Sequence, residues 1–199
     1  QWWEGHGHRA LANNSVAYTE KPDMESFMRE WLSLVESKSG ERGIFNRKAS
    51  VAQAAKNGRR DSNQEFGCNP CSEIILRPYQ FCNLSEVVVR ASDTMEDLVR
   101  KVRLAVEIGT IQSTMTHFPY LRKIWRDNTE EERLLGVSLT GIMDNKLTYK
   151  PQAEMLEELR RVAVETNRVV AEKIGIKPAA AITCVKPSGT VSQLVDSAS

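Results

Sequence analysis

Short apolar runs alternate along the chain with longer amphipathic segments, and this alternation constrains the fold more than any other feature of the sequence. The strand-like runs lie at 10–19, 73–76, 84–90, 133–143 and 179–185. Between most of these runs, apolar residues recur at the spacing of a helix. Strands that alternate with helices are typical of α/β proteins. We find no internal repeat, low-complexity tract or linker. The sequence therefore predicts an α/β fold in one domain that covers 1–199.

Helix boundaries are clearest where a capping residue precedes an apolar face. Asp23 is a predicted N-cap for the helix that follows it, and Thr94 with Asp97 resembles a capping box. Pro151 and Gly175 bound another predicted helix. The predicted apolar face of the helix over 94–115 consists of Leu98, Val102, Ala105, Val106 and Ile108. Weaker patterns predict a helix at 48–57, a helix at 119–127 and a loop at 39–47.

The composition excludes several classes of protein. With 41% hydrophobic and 27% charged residues, the chain has the balance of a globular protein. A net charge of +1 gives no broad attraction to nucleic acid or to a membrane surface. No apolar run approaches the ~20 residues that span a bilayer, and the N-terminus lacks a signal peptide's layout, so we expect a cytoplasmic protein. The chain lacks an initiator Met and stops abruptly at both ends, so we expect a piece of a longer protein.

Three of the four cysteines lie close together, at Cys68, Cys71 and Cys82, and the fourth is Cys184. Four cysteines in a chain of this length do not form a disulfide scaffold. Structural zinc usually needs four ligands in two close pairs, and Cys68-x-x-Cys71 has no second pair. Three interpretations remain open: a zinc module on Cys68 and Cys71, buried inert thiols, and redox chemistry.

The run from Asn69 to Glu73 alternates an amide, a thiol and a carboxylate. In an extended segment, Asn69, Cys71 and Glu73 would point to the same side. A carboxylate beside a thiol disfavours the thiolate. The pattern instead suits a thiol that reacts through its S–H bond while the carboxylate moves a substrate proton. Cys82, expected on the neighbouring strand, could supply reducing equivalents.

The segment KPSGTVS (186–192) lies between a predicted strand and a predicted helix start. Backbone N–H groups and hydroxyl donors in such a place suit a phosphate, although the Walker A pattern is absent. Ser and Thr before a helix are also common simple caps, so both interpretations stay open. The residues concerned are Ser188, Gly189, Thr190, Val191 and Ser192.

The segment GHGHR (5–9) places two histidines between glycines. Glu4 is the one acidic neighbour, so a metal site is weakly supported. A glycine loop that carries the cation Arg9 explains the pattern as well.

Three motifs occur together in this chain: NPCSEIIL (69–76), QFCNLSEVVVR (80–90) and CVKPSGTVSQL (184–194). Further stretches accompany them, ANNSV, SGERGIFNR, GTIQSTMTHFPYLRKIW and ERLLGVSLTGIMD. Together they resemble the catalytic subunit of ribonucleotide reductase over nearly the whole chain. The distance from Cys71 to Cys82, and Gly189 where the oxygen-dependent branch usually has an acidic residue, favour the adenosylcobalamin-dependent (class II) branch.

The resemblance implies a fold and a set of residue roles. The fold would be part of a ten-stranded α/β barrel, with a central finger loop at about 67–83. Cys71 would carry the thiyl radical, Glu73 would take the 3′-hydroxyl proton, and Asn69 would hold the ribose hydroxyls. Cys82 would be one half of the reducing dithiol, and no catalytic role is implied for Cys68 or Cys184. The phosphate loop would be Ser188, Gly189, Thr190, Val191 and Ser192, and part of the specificity loop would be Gly7, His8 and Arg9.

The resemblance also implies a cofactor and partners. These are adenosylcobalamin, a ribonucleotide substrate (a triphosphate is expected), deoxynucleotide or ATP effectors, and thioredoxin or a similar dithiol reductant. No nucleic-acid or membrane partner is expected. Two alternatives stay open: a metal-cofactor (class I) ribonucleoside-diphosphate reductase large subunit, and a non-enzymatic zinc-binding module.

Overall fold

The structure of the protein is a computed structural model that describes residues 8, 12, 15–38 and 43–198. The chain divides into two compact units, 1–78 and 79–199. Each unit combines a parallel strand pair with helices, so the predicted α/β fold is confirmed. That the whole chain forms one domain stays a prediction.

The first unit starts with two parallel strands that are joined through a helix. Its elements are β1 (Ser15–Tyr18), α1 (Met24–Ser37), β2 (Gly43–Asn46), α2 (Arg47–Ala55), β3 (Gly67–Cys68) and β4 (Ile75–Leu76). Ser15 lies opposite Gly43 in the β1–β2 pair. The predicted N-cap of α1 is confirmed, because the Asp23 carboxylate accepts from the Ser26 N–H at 2.9 Å.

The predicted loop at 39–47 is wrong for 43–46, which form β2. Gly43 indicated a break in the local pattern, but pairing with the distant β1 decides the conformation. Asn46 then caps α2, since its Oδ1 accepts from the Ala49 N–H at 3.0 Å. The helix predicted at 48–57 is thereby confirmed as α2.

Two arginines attach the β3–β4 hairpin to the rest of the first unit. Arg47 Nε donates to the Phe66 carbonyl at 3.0 Å, just before β3. Arg60 Nη1 donates to the Ile75 carbonyl at 2.8 Å, and its guanidinium lies 4.8 Å from the centre of the buried Phe66 ring. Both strands of the hairpin that carries the cysteine motif are therefore fixed from outside.

The second unit combines a parallel strand pair with helices. Its elements are β5 (Asn83–Val88), α3 (Met95–Gln112), α4 (Lys123–Glu132), β6 (Leu135–Thr140), α5 (Lys146–Tyr149), α6 (Ala153–Ile174) and α7 (Val191–Leu194). In the β5–β6 pair, Asn83 lies opposite Leu135 and Val88 lies opposite Thr140. The core of this unit consists of Val87, Val89, Leu98, Val102, Ala105, Val106, Leu135, Val137, Leu159, Val162, Ala163, Ala179 and Ile182.

The capping box predicted for α3 is confirmed. Asp97 N–H donates to Thr94 Oγ1 at 3.2 Å, and Asp97 Oδ2 accepts from the Thr94 N–H at 3.1 Å. The predicted apolar face is buried except for Ile108, which is 61% exposed. At 100° per residue, Ile108 lies about 120° from the centre of the arc formed by the buried residues of α3, and Gly109 takes the core position instead.

Three other predicted boundaries change. The helix expected at 119–127 lies at Lys123–Glu132, because Phe118 packs against Phe81 with 5.1 Å between the ring centres. The strand expected at 179–185 is reduced to one parallel bridge between Thr183 and Val137. The helix expected from Pro151 begins two residues later, and it ends at Gly175 as predicted. Among the described residues, no helix is long and apolar enough to cross a membrane.

Candidate active site

The Asn69–Cys71–Glu73 motif forms the tight end of the β3–β4 hairpin. Gly67 pairs with Leu76, and Cys68 pairs with Ile75, in an antiparallel register. The Ser72 N–H donates to the Asn69 carbonyl at 2.9 Å and closes a turn at this end. The motif therefore forms a short loop at the end of this hairpin.

The extended conformation assumed for this motif is wrong. Ser72 has a φ of +62°, in the left-handed region that non-glycine residues seldom adopt. A positive φ in the middle of the run interrupts the alternation of a strand, so spacing of two residues does not fix a common direction here. Cys68 contacts the turn itself, because its Sγ lies 3.4 Å from Ser72 Oγ.

Asn69 supports the turn with its side chain. Its Oδ1 accepts from the Ile74 N–H at 3.0 Å, alongside a backbone bond from the Asn69 N–H to the Ile74 carbonyl at 3.3 Å. The amide oxygen is thus used within the hairpin, whereas Nδ2 donates to no described residue. What Asn69 can offer a ligand is a hydrogen-bond donor held in place by the turn.

Glu73 and Cys71 have opposite environments. Cys71 is exposed. Both carboxylate oxygens of Glu73 are buried, and neither has a hydrogen-bond partner among the described residues. Burying a carboxylate without a partner is costly, and such groups are concentrated where a ligand completes the set of hydrogen bonds. Glu73 is suited to accept a proton or a hydrogen bond from a bound molecule.

Cys82 comes directly before β5, and its neighbours fix its backbone. The Asn83 N–H and Nδ2 both donate to the Leu134 carbonyl, at 2.9 and 3.1 Å. On the other side, Gln80 Nε2 donates to the buried Glu132 carboxylate. Cys82 is half-buried, and all four cysteines are thiols. Cys82 was expected on the strand that neighbours the motif, and this is wrong, because Cys82 precedes β5 and β5 pairs with β6 instead of with the β3–β4 hairpin.

The phosphate-loop candidates follow the segment that bridges to β6. Gly189 has a φ of +57°, and the Val191 N–H donates to the Ser188 carbonyl at 3.0 Å. Thr190 is the N-cap of α7 but makes no side-chain cap hydrogen bond. The N–H groups of Gly189 and Thr190 donate to no described residue. The simple capping interpretation therefore loses its support, and these donors are available to an anion.

The predicted site residues are not gathered into one cluster within the second unit. Cys82 lies at the amino end of the parallel strands, and the phosphate loop follows their carboxyl end. Ligands of open α/β sheets usually bind at the carboxyl end. Of the specificity-loop candidates, His8 is exposed, whereas Gly7 and Arg9 lie outside the described residues. The residues that the structure describes contain no group of three or more His, Cys, Asp or Glu that could hold a metal.

Sequence reasoning missed two side chains that contact the segment after α7. Arg90 donates to backbone carbonyls of that segment, and Asp144 accepts from one of its N–H groups. Both residues come shortly after the carboxyl end of a parallel strand. A charged residue at that position was the signal in the sequence, since this edge is where polar residues of α/β sheets meet ligands.

Comparison with known proteins gives consistent matches. Adenosylcobalamin-dependent ribonucleoside-triphosphate reductase of Lacticaseibacillus paracasei is 29% identical over 219 residues, which cover 94% of this chain and 28% of that protein. The enzyme of the same name from Euglena gracilis is 29% identical over 162 residues, which cover 77% of this chain and 21% of that protein. A crystal structure of a B12-dependent (class II) ribonucleotide reductase matches with a TM-score of 0.66 and 25% identity, over 96% of this chain and 30% of that one.

This chain is similar to class II ribonucleotide reductases. The resemblance found in the motifs is thus confirmed in sequence and in fold. The chain spans about 28% of the length of the curated relatives it matches first. No protein-family model matches the chain.

Proposed function

We propose that this chain supplies catalytic residues of an adenosylcobalamin-dependent ribonucleotide reductase that converts ribonucleoside triphosphates to 2′-deoxyribonucleotides. The observation that carries the proposal is the pairing of an exposed Cys71 with a Glu73 carboxylate that is buried without a partner. The names of the relatives favour this function over a metal-cofactor class I subunit.

The two units would belong to one ten-stranded α/β barrel domain, and 67–83 would be its finger loop. Parallel pairing in both units and the likeness to the class II structure support this arrangement. The hairpin is short and fixed from outside by Arg47 and Arg60, which suits a loop that must present one thiol to a substrate.

In the proposed reaction, a thiyl radical on Cys71 takes the 3′-hydrogen atom of the ribose. Glu73 accepts the 3′-hydroxyl proton, and the 2′-hydroxyl takes a proton from a thiol of the reducing pair and leaves as water. At the end of the reaction Cys71 returns the hydrogen atom to C3′ and is again a thiyl radical. Asn69 Nδ2 donates to a ribose hydroxyl, because its Oδ1 is occupied by the Ile74 N–H. The ribose C–H bond is not acidic, so proton transfer alone would not break it.

Reduction of the sugar needs two electrons, and a pair of thiols would provide them. Cys82 and a second cysteine would be oxidised to a disulfide as the 2′-hydroxyl leaves as water. Thioredoxin or a similar dithiol would then reduce that disulfide, and its own two thiols would become a disulfide. A half-buried thiol next to a strand fits this role, since the hydrogen bonds of Asn83 fix the backbone beside it.

The loop from Ser188 to Ser192 would bind the substrate phosphates through N–H and hydroxyl groups. The absence of a side-chain cap on α7 supports this role, because the N–H groups of Gly189 and Thr190 donate to no described residue. Gly7, His8 and Arg9 would belong to the loop that responds to deoxynucleotide or ATP effectors. A cytoplasmic location stays a prediction.

Adenosylcobalamin, when bound, supplies the radical that such a thiol needs. The hairpin end fits this requirement, because Pro70, Cys71 and Ser72 are all exposed. These three residues would face the cofactor, and the rigid turn would keep the Cys71 thiol in place.

The test is a pair of cysteine substitutions in the full-length protein. Cys71→Ser should abolish reduction of a ribonucleoside triphosphate and leave its binding intact, because serine has no weak S–H bond to exchange hydrogen. Cys68→Ser is the matched control in the same hairpin and should retain activity. Substantial turnover by Cys71→Ser would refute the proposal.

A second pair tests the reductant. Cys82→Ser should lose steady-state turnover and lose much less in a single turnover with a small dithiol. Cys184→Ser, which has no assigned role, should be active in both assays. Equal loss in both assays for Cys82→Ser would contradict its role as a reductant.

A further inference from the structure

Helix α7, whose first two residues are the last two of the phosphate loop, is too short to be stable alone. It has four residues, and an isolated helix of that length does not form in water. Its end is a Schellman motif: the Ser197 N–H donates to the Ser192 carbonyl at 2.9 Å, and the Asp196 N–H to the Gln193 carbonyl at 3.5 Å. Asp196 takes the left-handed position, with a φ of +49°. The geometry of Ser192 therefore depends on the segment after the helix.

Arg90 holds that segment with both ends of its guanidinium. Nη1 donates to the Asp196 carbonyl at 2.7 Å, and Nη2 donates to the Val195 carbonyl at 2.6 Å. The backbone of Arg90 is itself fixed, because its N–H donates to Asp93 Oδ2 at 2.8 Å and its carbonyl accepts from Asn145 Nδ2 at 2.8 Å. Because the Arg90 backbone is fixed at the end of β5, its side chain fixes the position of the backbone at the end of α7.

Asp144 holds the same segment from the end of β6. Its Oδ2 accepts from the Ala198 N–H at 2.8 Å. The Asp144 N–H donates to the carbonyl of Gly141 at 3.0 Å, in a short turn after the strand. Two neighbouring strands therefore each provide one charged side chain to the backbone of 195–198.

The contacts of Arg90 also leave its charge available. Its guanidinium binds two neutral carbonyls and forms no ion pair with a described carboxylate. A guanidinium fork is also the geometry that fixes a backbone best, since two parallel hydrogen bonds define an orientation.

We propose that Arg90 and Asp144 are positioning residues for the phosphate loop 188–192. They act on it through the segment Val195–Ala198 and do not touch the substrate. The inference rests on the proposed function, because it takes 188–192 as the site of the substrate phosphates.

The experiment compares Arg90→Gln with wild type in the full-length protein. We expect the KM for a ribonucleoside triphosphate to rise about tenfold, because hydrogen bonds from a charged group are lost. The kcat should stay within about twofold of wild type, because no group at the reacting carbon changes. Arg90→Lys should recover part of the loss, since an ammonium can bind one carbonyl but lacks the fork. Arg100→Gln, an exposed arginine on α3, is the matched control and should leave both constants unchanged.

Hydrogen exchange of the loop amides separates the two proposals. In wild type, the triphosphate should slow exchange at 188–192, and Arg90→Gln should speed exchange at 192–198 without ligand. If the triphosphate does not protect the wild-type loop, the phosphate site itself is wrong. If it protects wild type and Arg90→Gln alike, with equal KM, the positioning role alone is overturned. Asp144→Ala gives the same comparison should Arg90→Gln fail to fold.

Discussion

Replacing Gly141 by alanine should destabilise the second unit strongly. Gly141 follows β6 with a φ of +78°, which a residue with a Cβ adopts at a cost of about 1–2 kcal/mol. An added Cβ would also lie 2.5 Å from the Val89 carbonyl oxygen, which is backbone and cannot rotate away. Relief of such a clash typically costs about 1–3 kcal/mol. The unfolded chain of the alanine variant has less conformational entropy, which offsets about 0.4–1 kcal/mol of this cost. The net loss in the free energy of unfolding should therefore be about 1–4.5 kcal/mol.

Gly175→Ala provides the matched control for this prediction. Gly175 ends α6 with a φ of +74°, and an added Cβ would meet nothing within 4 Å. Gly175→Ala should therefore cost only the strain of the left-handed φ, and the free energy of unfolding should fall by about 1 kcal/mol or less. Urea unfolding followed by far-UV circular dichroism measures both variants, and α3 and α6 dominate the signal. Equal losses for the two variants would show that the contact with Val89 does not constrain this turn.

Three further predictions concern the site and the core. Glu73→Gln should raise the free energy of unfolding by about 1 kcal/mol, because a buried carboxylate without a partner is replaced by a neutral amide. The same variant should lower turnover about 100-fold or more. A less stable variant would contradict the burial described for this carboxylate. The hydrogen bond from the Thr94 N–H is the main reason that the pKa of Asp97 lies below its ordinary value of 3.8. The ionised Asp97 therefore stabilises the folded state above about pH 4, and this stabilisation is lost as the pH falls through the lowered pKa. Thr94→Ala removes the hydroxyl that also lowers this pKa, and a carboxyl NMR titration should show it shifted partly back; an unchanged titration would mean that the hydroxyl does not contribute. Leu98→Ala, at a fully buried site, should cost about 3–4 kcal/mol in urea unfolding, whereas Leu104→Ala, 49% exposed on the same helix, should cost less than about 1 kcal/mol.

The elements with local signals could be predicted from the sequence. Asp23 and Thr94 cap their helices as expected, and Gly175 ends α6. In each case a short-range hydrogen bond or a left-handed φ decides the boundary, and both depend on residues within one turn. The strand after Cys82 was predictable for a similar reason, because the β-branched Val87 and Val88 lie together in a local run.

Elements that depend on distant contacts could not be predicted in the same way. β2 exists because it pairs with β1, and the start of α4 is displaced by the packing of Phe118 on Phe81. The directions in which the candidate catalytic side chains point could not be predicted from the sequence either. Ser72 with its positive φ turns the run from Asn69 to Glu73 into a tight bend, and the burial of the Glu73 carboxylate depends on what surrounds that bend.

The bonds from Arg90 to Val195 and Asp196 have a consequence for the order of folding. They connect residues 105 and 106 positions apart, whereas β5 and β6 pair across 52 positions. Closing the longer chain segment costs more entropy, and contacts between distant positions generally form late. During synthesis the sheet and α3 can assemble before residue 195 has left the ribosome. The candidate substrate-binding loop would then become ordered only after the rest of its unit is complete.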